Sequence, residues 1–107
     1  MPYVEASINI KGDIEKIWAI VSDMEQYPKF MRSVKSVEIL ERSTNETISK
    51  WTTDVDGRVI IWTEKDTFFP VEHRIEYIQV SGDLKKFQGM WQLSNQPENV
   101  NVLLTVD

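Results

Sequence analysis

The sequence contains no cysteine and only one histidine, and these two shortages exclude several kinds of site. Without cysteine there is no disulfide framework, no thiolate metal site and no cysteine nucleophile. His73 has no second histidine with which to form a transition-metal site, so we expect no metal and interpret it as an exposed strand-edge residue. A chain free of cysteine suits a reducing compartment, which predicts a cytoplasmic protein.

Long apolar segments, basic patches and phosphate-binding loops are also missing. The longest apolar run, Val59–Trp62, is far shorter than the roughly 20 residues that cross a bilayer, so no membrane span is predicted. The first five residues lack the basic and apolar stretches of a secretory signal. A net charge of −5 disfavours nucleic acid as a partner. Because no glycine-rich loop is present, we expect no cofactor of the dinucleotide type and predict none of any other kind.

What remains is the composition of one ordinary globular domain of 107 residues. Apolar and polar residues alternate over Tyr3–Ile10, which predicts a first strand. The apolar period then becomes helical and predicts a first helix over about Asp13–Ser22. Asp23 can begin a second short helical turn, and Pro28 prevents the two from forming one continuous helix.

From Val34 onward, β-branched and aromatic residues fall into six segments separated by turn residues. The predicted strands are Val34–Arg42, Thr47–Val55, Arg58–Phe69, His73–Val80, Lys86–Ser94 and Val100–Val106. The connections are too short for parallel crossovers, so consecutive strands run antiparallel. The predicted fold class is α+β, with a seven-stranded antiparallel sheet and a two-helix insert after the first strand.

Two short helices are too small to cover one face of a seven-stranded sheet. The alternating strand Val100–Val106 is the last predicted element of the sequence. Three arrangements would solve this problem: a sheet that closes on itself, a partner that covers it, or a C-terminal helix lost from this chain. We favour the third, and expect a single domain over residues 1–107 that is truncated at its C-terminus.

Three short motifs carry a resemblance to a known family. They are Asp23-x-x-x-Tyr27-Pro28-x-Phe30, the segment Gly57–Thr63, and Gly89-Met90-Trp91. In this order, over nearly all of the chain, they resemble the START-like (SRPBCC, helix-grip) family of polyketide cyclases and dehydrases and coenzyme Q-binding proteins. The resemblance implies a curved seven-stranded sheet that grips a long C-terminal helix, here missing, around a deep apolar cavity.

The sequence departs from that family at positions associated with its chemistry. Polyketide aromatase/cyclases of the family tend to carry a serine two residues, and an arginine four residues, after the tryptophan matched by Trp62. This chain has Glu64 and Asp66 there, and Val34 stands where some of those enzymes use a tyrosine. The resemblance therefore implies the fold more firmly than the reaction.

The resemblance also points the Trp62 face of its strand inward, together with Glu64 and Asp66. Two carboxyls in an apolar pocket should raise at least one pKa, so that one of them could act as a general acid or base. Tyr77 is a third catalytic candidate. The competing interpretation places both carboxyls in solvent or at the pocket mouth, where they only keep the sheet soluble.

Aromatic residues supply the candidate ligand-binding set, although core packing is the preferred explanation for any single one of them. The set is Trp18, Tyr27, Phe30, Trp51, Trp62, Phe87 and Trp91.

Three functions stay open at this point. The leading hypothesis is binding of a small hydrophobic molecule, an aromatic polyketide or an isoprenoid quinone. The second is a polyketide aromatase/cyclase or dehydratase that acts on a poly-β-ketone. The third is a protein-interaction module of the ribosome-associating type, and the exposed sheet also leaves a homodimer open.

Overall fold

The computed structural model describes residues 3–107, which form seven strands, one α-helix and one 3₁₀ helix. The strands are β1 (Val4–Ile10), β2 (Val34–Arg42), β3 (Glu46–Val55), β4 (Arg58–Phe69), β5 (Arg74–Gly82), β6 (Gln88–Asn95) and β7 (Val100–Val106). Helix α1 covers Ile14–Ser22, and the 3₁₀ helix covers Met24–Lys29. The predicted α+β class, with two helical pieces between the first two strands, is confirmed.

All seven strands belong to one antiparallel sheet with the order β1-β7-β6-β5-β4-β3-β2. Strands β2 to β7 form a meander in which each strand pairs with the next. Strand β1 closes the order by pairing with β7, where Val4 lies opposite Val106. The helical insert therefore carries the chain from one edge of the sheet to the other.

The hairpin between β3 and β4 turns on Asp56 and Gly57, whose φ angles are 53° and 82°. Two successive positive φ values are typical of a type I′ turn, which matches the right-handed twist of the two strands. The Gly57 backbone N–H donates a 2.9 Å hydrogen bond to Oδ1 of Asp54 and braces the turn. This tight turn fixes the register in which Trp51 lies opposite Trp62.

The helical pieces pack on the inner face of the sheet and form two adjoining groups of buried residues. Ile17 of α1 packs in one group, and Met24 and Tyr27 of the 3₁₀ helix pack in the other. Trp18 is half-buried and contacts both groups. The strand residues in these groups are Val34, Trp51, Ile75, Leu93, Val100 and Val102.

The inner face stays open toward the β1 edge. Val4 and Ile8 lie opposite Val106 and Val102, so they share the inner face with them. Nevertheless Val4 is 54% exposed and Ile8 is 61% exposed. The two helical pieces therefore cover only part of the sheet, as the sequence predicts.

His73 differs from its sequence-based interpretation. The strand begins at Arg74, and His73 lies in the preceding turn with a φ of 54°. Its side chain is only 18% exposed, because Nε2 contacts Oε2 of Glu15 at 2.6 Å and the ring packs edge-on against Trp18. The prediction of an exposed strand-edge residue was wrong, since this turn folds back onto α1.

Gly89 occupies a crowded position between β5 and β7. Tyr77 lies opposite Gly89, and its hydroxyl reaches past it to donate a 2.6 Å hydrogen bond to the carbonyl oxygen of Thr105. A Cβ atom at position 89 would fall 2.6 Å from that hydroxyl and would overlap the Thr105 carbonyl. Only glycine leaves room for the tyrosine to bridge two strands.

Replacing Gly89 with alanine should therefore destabilise the fold strongly. We expect Gly89→Ala to lower the free energy of unfolding by about 3 kcal/mol, because the new methyl group has backbone on one side and the phenol on the other. Urea denaturation monitored by tryptophan fluorescence measures this change.

Gly57→Ala is the matched control, because a Cβ there meets nothing within 4 Å but must adopt a φ of 82°. Its expected cost is about 1 kcal/mol, from the backbone alone. Equal costs at the two positions would contradict the crowding argument.

Candidate functional site

A cavity of about 330 Å³ opens on the inner face of the sheet, between the 3₁₀ helix and the loop that leads into β6. Its walls are mostly aromatic and aliphatic, and Glu64 is the one acidic side chain among the lining residues that the structure describes. The aromatic lining residues are Tyr27, Trp51, Trp62, Tyr77, Phe87 and Trp91.

Two tryptophans form the flattest part of this wall. Because the β3–β4 register places Trp51 opposite Trp62, their rings stack with centroids 5.8 Å apart and planes 5° apart. The Phe87 ring packs against Trp62 with centroids 4.9 Å apart, and the Tyr27 ring meets Trp51 edge-on with centroids 5.5 Å apart. The result is a stacked pair of indoles held between two further aromatic rings.

Hydrogen bonds fix the orientation of both indoles. Nε1 of Trp62 donates to Oε1 of Glu64 at 2.7 Å, two residues along the same strand. Nε1 of Trp51 donates in the same way to Oγ of Ser49 at 2.9 Å. Each ring therefore satisfies its polar atom within its own strand and leaves its apolar surface for packing or for a ligand.

Glu64 and Asp66 lie side by side beneath this aromatic surface, and both are buried, with 3% and 0% of their surface exposed. The Thr47 hydroxyl donates to Oδ2 of Asp66 at 3.0 Å, and the Ser49 hydroxyl donates to the same oxygen. The alternative in which the two carboxyls sit in solvent is wrong, because hydroxyl side chains on the inner face of β3 provide polar partners for Asp66 inside the protein.

Burial controls the ionisation of this pair. Desolvation, followed by the hydrogen bond to Asp66 and the charge of Asp66, raises the pKa of Glu64 well above its ordinary value. Desolvation also raises the pKa of Asp66, but hydrogen bonds from Glu64, Ser49 and Thr47 oppose the rise. At neutral pH Glu64 therefore keeps its proton, and the predicted upward shift of at least one carboxyl is confirmed.

Tyr77 lies in the cavity wall, but its hydroxyl already donates to the Thr105 carbonyl. Burial, together with the charge of Glu64, raises the pKa of Tyr77. Because the Tyr77 phenol stays neutral and its hydroxyl is bonded to the backbone, the side chain contributes apolar surface to the cavity wall.

The structure brings most of the predicted ligand-binding residues together. Tyr27, Trp51, Trp62, Phe87 and Trp91 line the cavity, and the Trp62 face of β4 points inward as predicted.

Three predicted residues lie elsewhere. Trp18 packs against His73 outside the cavity, with ring centroids 5.7 Å apart, and Phe30 is 58% exposed beside Tyr27. Asp66 lies behind Glu64 and does not line the cavity.

Sequence reasoning did not identify the hydroxyls that support the pair. Thr47 and Ser49 alternate with Trp51 along β3, so the period-two pattern could have placed them on the inner face once Trp51 was there. Leu84 also lines the cavity, but it comes from an irregular loop that no pattern predicts.

A larger depression, of about 560 Å³, lies on the outer face between β4, β5 and β6. Its rim includes Lys65 and Glu76, whose side chains are 43% and 52% exposed. Because exposed charged side chains line this depression, the inner-face cavity, with its mostly apolar wall, is the stronger candidate for a binding site.

Among residues 3–107, no three histidine or acidic side chains come close enough together to hold a metal ion. No helix in the same part of the chain has the length and apolar character needed to cross a membrane.

Comparison with solved structures places this fold among proteins of one architecture. The TTHA0849 protein of Thermus thermophilus superposes with a TM-score of 0.94 at 24% identity, over 99% of this chain and 73% of that one. The Zhui aromatase/cyclase of Streptomyces sp. R1128 superposes with a TM-score of 0.92 at 23% identity, over 99% of this chain and 66% of that one. A START superfamily protein of Mycobacterium smegmatis gives 0.85 at 21% identity, over 98% and 74%.

Two curated relatives, both named "Putative polyketide cyclase", match at the sequence level. The protein of Streptomyces halstedii is 26% identical over 105 residues, which cover 92% of this chain and 93% of that protein. The protein of Streptomyces cyaneus is 22% identical over 108 residues, covering 98% and 71%.

The family model described as "Polyketide cyclase / dehydrase and lipid transport" matches residues 10–107, which include every element from the end of β1 to β7. The chain therefore belongs to the polyketide cyclase / dehydrase and lipid transport family, with the START-like fold that its sequence resembles.

Proposed function

We propose that this protein binds a small, planar, largely apolar molecule in its inner-face cavity. The observation that carries the proposal is the Trp51–Trp62 stack, which forms a flat aromatic wall above a buried carboxyl. A volume of about 330 Å³ lies at the lower end of the usual range for small-molecule sites. An aromatic polyketide or an isoprenoid quinone, each of which presents a flat ring, fits such a wall.

Family membership supports ligand binding or polyketide cyclase function. It does not favour the third sequence-based hypothesis, an interaction module of the ribosome-associating type.

An enzymatic role is the second candidate, and one observation favours it. Glu64 holds a proton at neutral pH and faces the cavity, which is the arrangement that a general acid requires. In this role Glu64 would donate its proton to a carbonyl oxygen of a bound poly-β-ketone and would recover a proton from the carbon that forms the new bond. Tyr77 is the weaker participant, because its hydroxyl is committed to the Thr105 carbonyl.

The charge and composition of the protein support a proposal for its location and its partners. A net charge of −5 and the absence of cysteine support a cytoplasmic protein that does not bind nucleic acid. Strand β1 is an edge strand, and its residues are all exposed, so it offers the surface for a homodimer.

The exposed apolar residues of β1 also support a single domain that a long helix completes. Val4 and Ile8 continue the inner face beyond the cavity. A helix packed along that face would bury them and enclose the cavity further.

Removing the flat wall should weaken ligand binding. We expect Trp62→Leu to raise the dissociation constant of the neutral fluorescent probe N-phenyl-1-naphthylamine about tenfold, because the ring that stacks on Trp51 is lost. Fluorescence titration at pH 7 measures the change.

Phe69→Leu is the matched control, because Phe69 lies on the same strand with its ring under Arg74. It should leave probe binding unchanged. Equal binding by Trp62→Leu and the parent protein would remove Trp62 from the site.

The shared proton should appear in the pH dependence of stability. Above about pH 5 the unfolded chain has both carboxyls ionised, whereas the folded pair keeps one proton, so the free energy of unfolding must fall as pH rises. The slope from Glu64 is about 1.4 kcal/mol per pH unit, and the decline continues until pH passes the raised pKa. Glu64→Gln should remove this slope, as measured by urea denaturation between pH 5.5 and 8.5.

The exposed carboxyl of Glu38 provides the control for this measurement. Glu38→Gln should keep the slope of the parent protein. A parent protein whose stability does not fall over this range would show that Glu64 is ionised in the fold.

The enzymatic candidate predicts altered products from a reactive poly-β-ketone supplied in the test tube. With the parent protein, the distribution of ring-closure products should differ from the spontaneous one. Glu64→Gln should restore the spontaneous distribution while N-phenyl-1-naphthylamine still binds, because the amide fills the same space but cannot give up a proton. Chromatography of the products provides the readout, and an unchanged distribution with the parent protein would leave binding as the whole function.

A further inference from the structure

The hydrogen bonds around Asp66 determine which carboxyl carries the shared proton. Oδ2 of Asp66 accepts from both Thr47 and Ser49, so this oxygen acts as an acceptor only. Ser49 directs its hydroxyl hydrogen to Asp66, because its oxygen already accepts from Nε1 of Trp51. Two donors on one oxygen stabilise the ionised form of Asp66.

Oδ1 of Asp66 needs a third donor. This oxygen is buried, and no hydroxyl, amide or indole of residues 3–107 donates to it. Glu64, two residues away on the same face of β4, is the group that would provide this donor in its protonated form, and its raised pKa agrees with that assignment. Leaving a buried charged acceptor without a donor would cost more than an ordinary hydrogen bond contributes.

Because its proton is donated to Asp66, Glu64 can only accept hydrogen bonds from a ligand in the cavity. Oε1 accepts from Nε1 of Trp62 and keeps a second lone pair.

Several donors in the surrounding wall are committed to backbone carbonyls in the same way. Tyr27 donates to Val21, Thr53 to Ile60 and Tyr77 to Thr105. Among the lining hydroxyls that the structure describes, that of the exposed Ser33 is the one without such a bond, so the wall has acceptor capacity to spare and one hydroxyl donor to offer.

A ligand hydroxyl and a ligand ketone would meet this wall very differently. The hydroxyl can donate to Glu64 without disturbing any existing bond. The ketone can bond to Glu64 only by taking the proton from Oδ1 of Asp66, which leaves a buried carboxylate oxygen unpaired.

We infer that the cavity selects planar molecules that carry a hydroxyl donor, a phenol or an enol, and that Glu64 is the residue that accepts its hydrogen bond. The inference rests on the proposed function, because it assigns chemistry to a ligand in the same cavity. It also defines the roles of the pair: Glu64 contacts the ligand, and Asp66 positions the proton on Glu64.

Three naphthalene probes of similar size test this preference at pH 7, by displacement of N-phenyl-1-naphthylamine. They are 2-naphthol, which has a donor, 2-methoxynaphthalene, in which the donor is capped, and 2-acetylnaphthalene, which has a carbonyl only. We expect 2-naphthol to bind about fivefold tighter than the ether, the size expected for one net hydrogen bond. The ketone should bind no tighter than the ether.

Two variants of Glu64 test whether its role is to accept a hydrogen bond from the ligand. Glu64→Gln reproduces the protonated acid, since its amide N–H₂ can donate to Asp66 and its carbonyl can still accept, so the preference for 2-naphthol should remain. Glu64→Leu removes the acceptor and should bring 2-naphthol and the ether to the same affinity.

Each outcome has a distinct meaning. Equal binding of 2-naphthol and the ether by the parent protein, or tighter binding of the ketone, would overturn the hydroxyl preference while leaving the cavity as a binding site. Binding of none of the probes, N-phenyl-1-naphthylamine included, would overturn the proposed function and the preference with it. Because these comparisons use the parent protein, they decide the matter even where Glu64→Leu fails to fold.

Discussion

The register between β3 and β4 is the constraint on which the site depends. It places Trp51 opposite Trp62, Ser49 opposite Glu64 and Thr47 opposite Asp66. Because side chains alternate between the two faces of a strand, a slip of one residue would send all of these groups to the outer face. The two-residue turn at Asp56 and Gly57 holds that register, so two exposed residues at the tip of a hairpin control the chemistry of the cavity.

Burial of two neighbouring carboxyls is the main cost of this arrangement. Taking one carboxylate out of water is unfavourable, and placing a second beside it would be prohibitive. The fold reduces the cost in two ways, since it keeps one group protonated and surrounds the other with hydroxyl donors on β3. The aromatic stack lies directly over this network, so its position and the proton of Glu64 are coupled through one hydrogen bond from Trp62.

Much of the fold could be predicted from the sequence because it follows from local patterns. Alternation identified the first strand, β-branched and aromatic segments between turn residues identified the other six, and short connections gave the antiparallel order. The errors occur where tertiary contacts override local preference. His73 looked like a strand residue but adopts a left-handed turn, because its ring and its Nε2 are held by Trp18 and Glu15 of α1.

The site was less accessible to sequence reasoning than the fold. Spacing along β4 placed Trp62 and Glu64 on one face, but alternation cannot say which face is inside, and the family resemblance settled it. The aromatic set was too broad for a different reason. Residue type alone does not distinguish Trp18 and Phe30 from Trp91. Only the packing of the helical insert shows which aromatic side chains lie in the core, at the surface or in the cavity wall.

Glu64 and Asp66 stand where the family resemblance implies a serine and an arginine, and they offer a different kind of polar group. An arginine supplies fixed donors and a positive charge, whereas the pair found here keeps its single proton for itself and offers acceptors. Under the inference drawn above, the same aromatic framework can hold a flat molecule in either case, but the ligand oxygen that Glu64 contacts carries a hydrogen. In this proposal the apolar residues of the wall set the shape of the ligand, and two positions on one strand separately set the specificity of the polar contact.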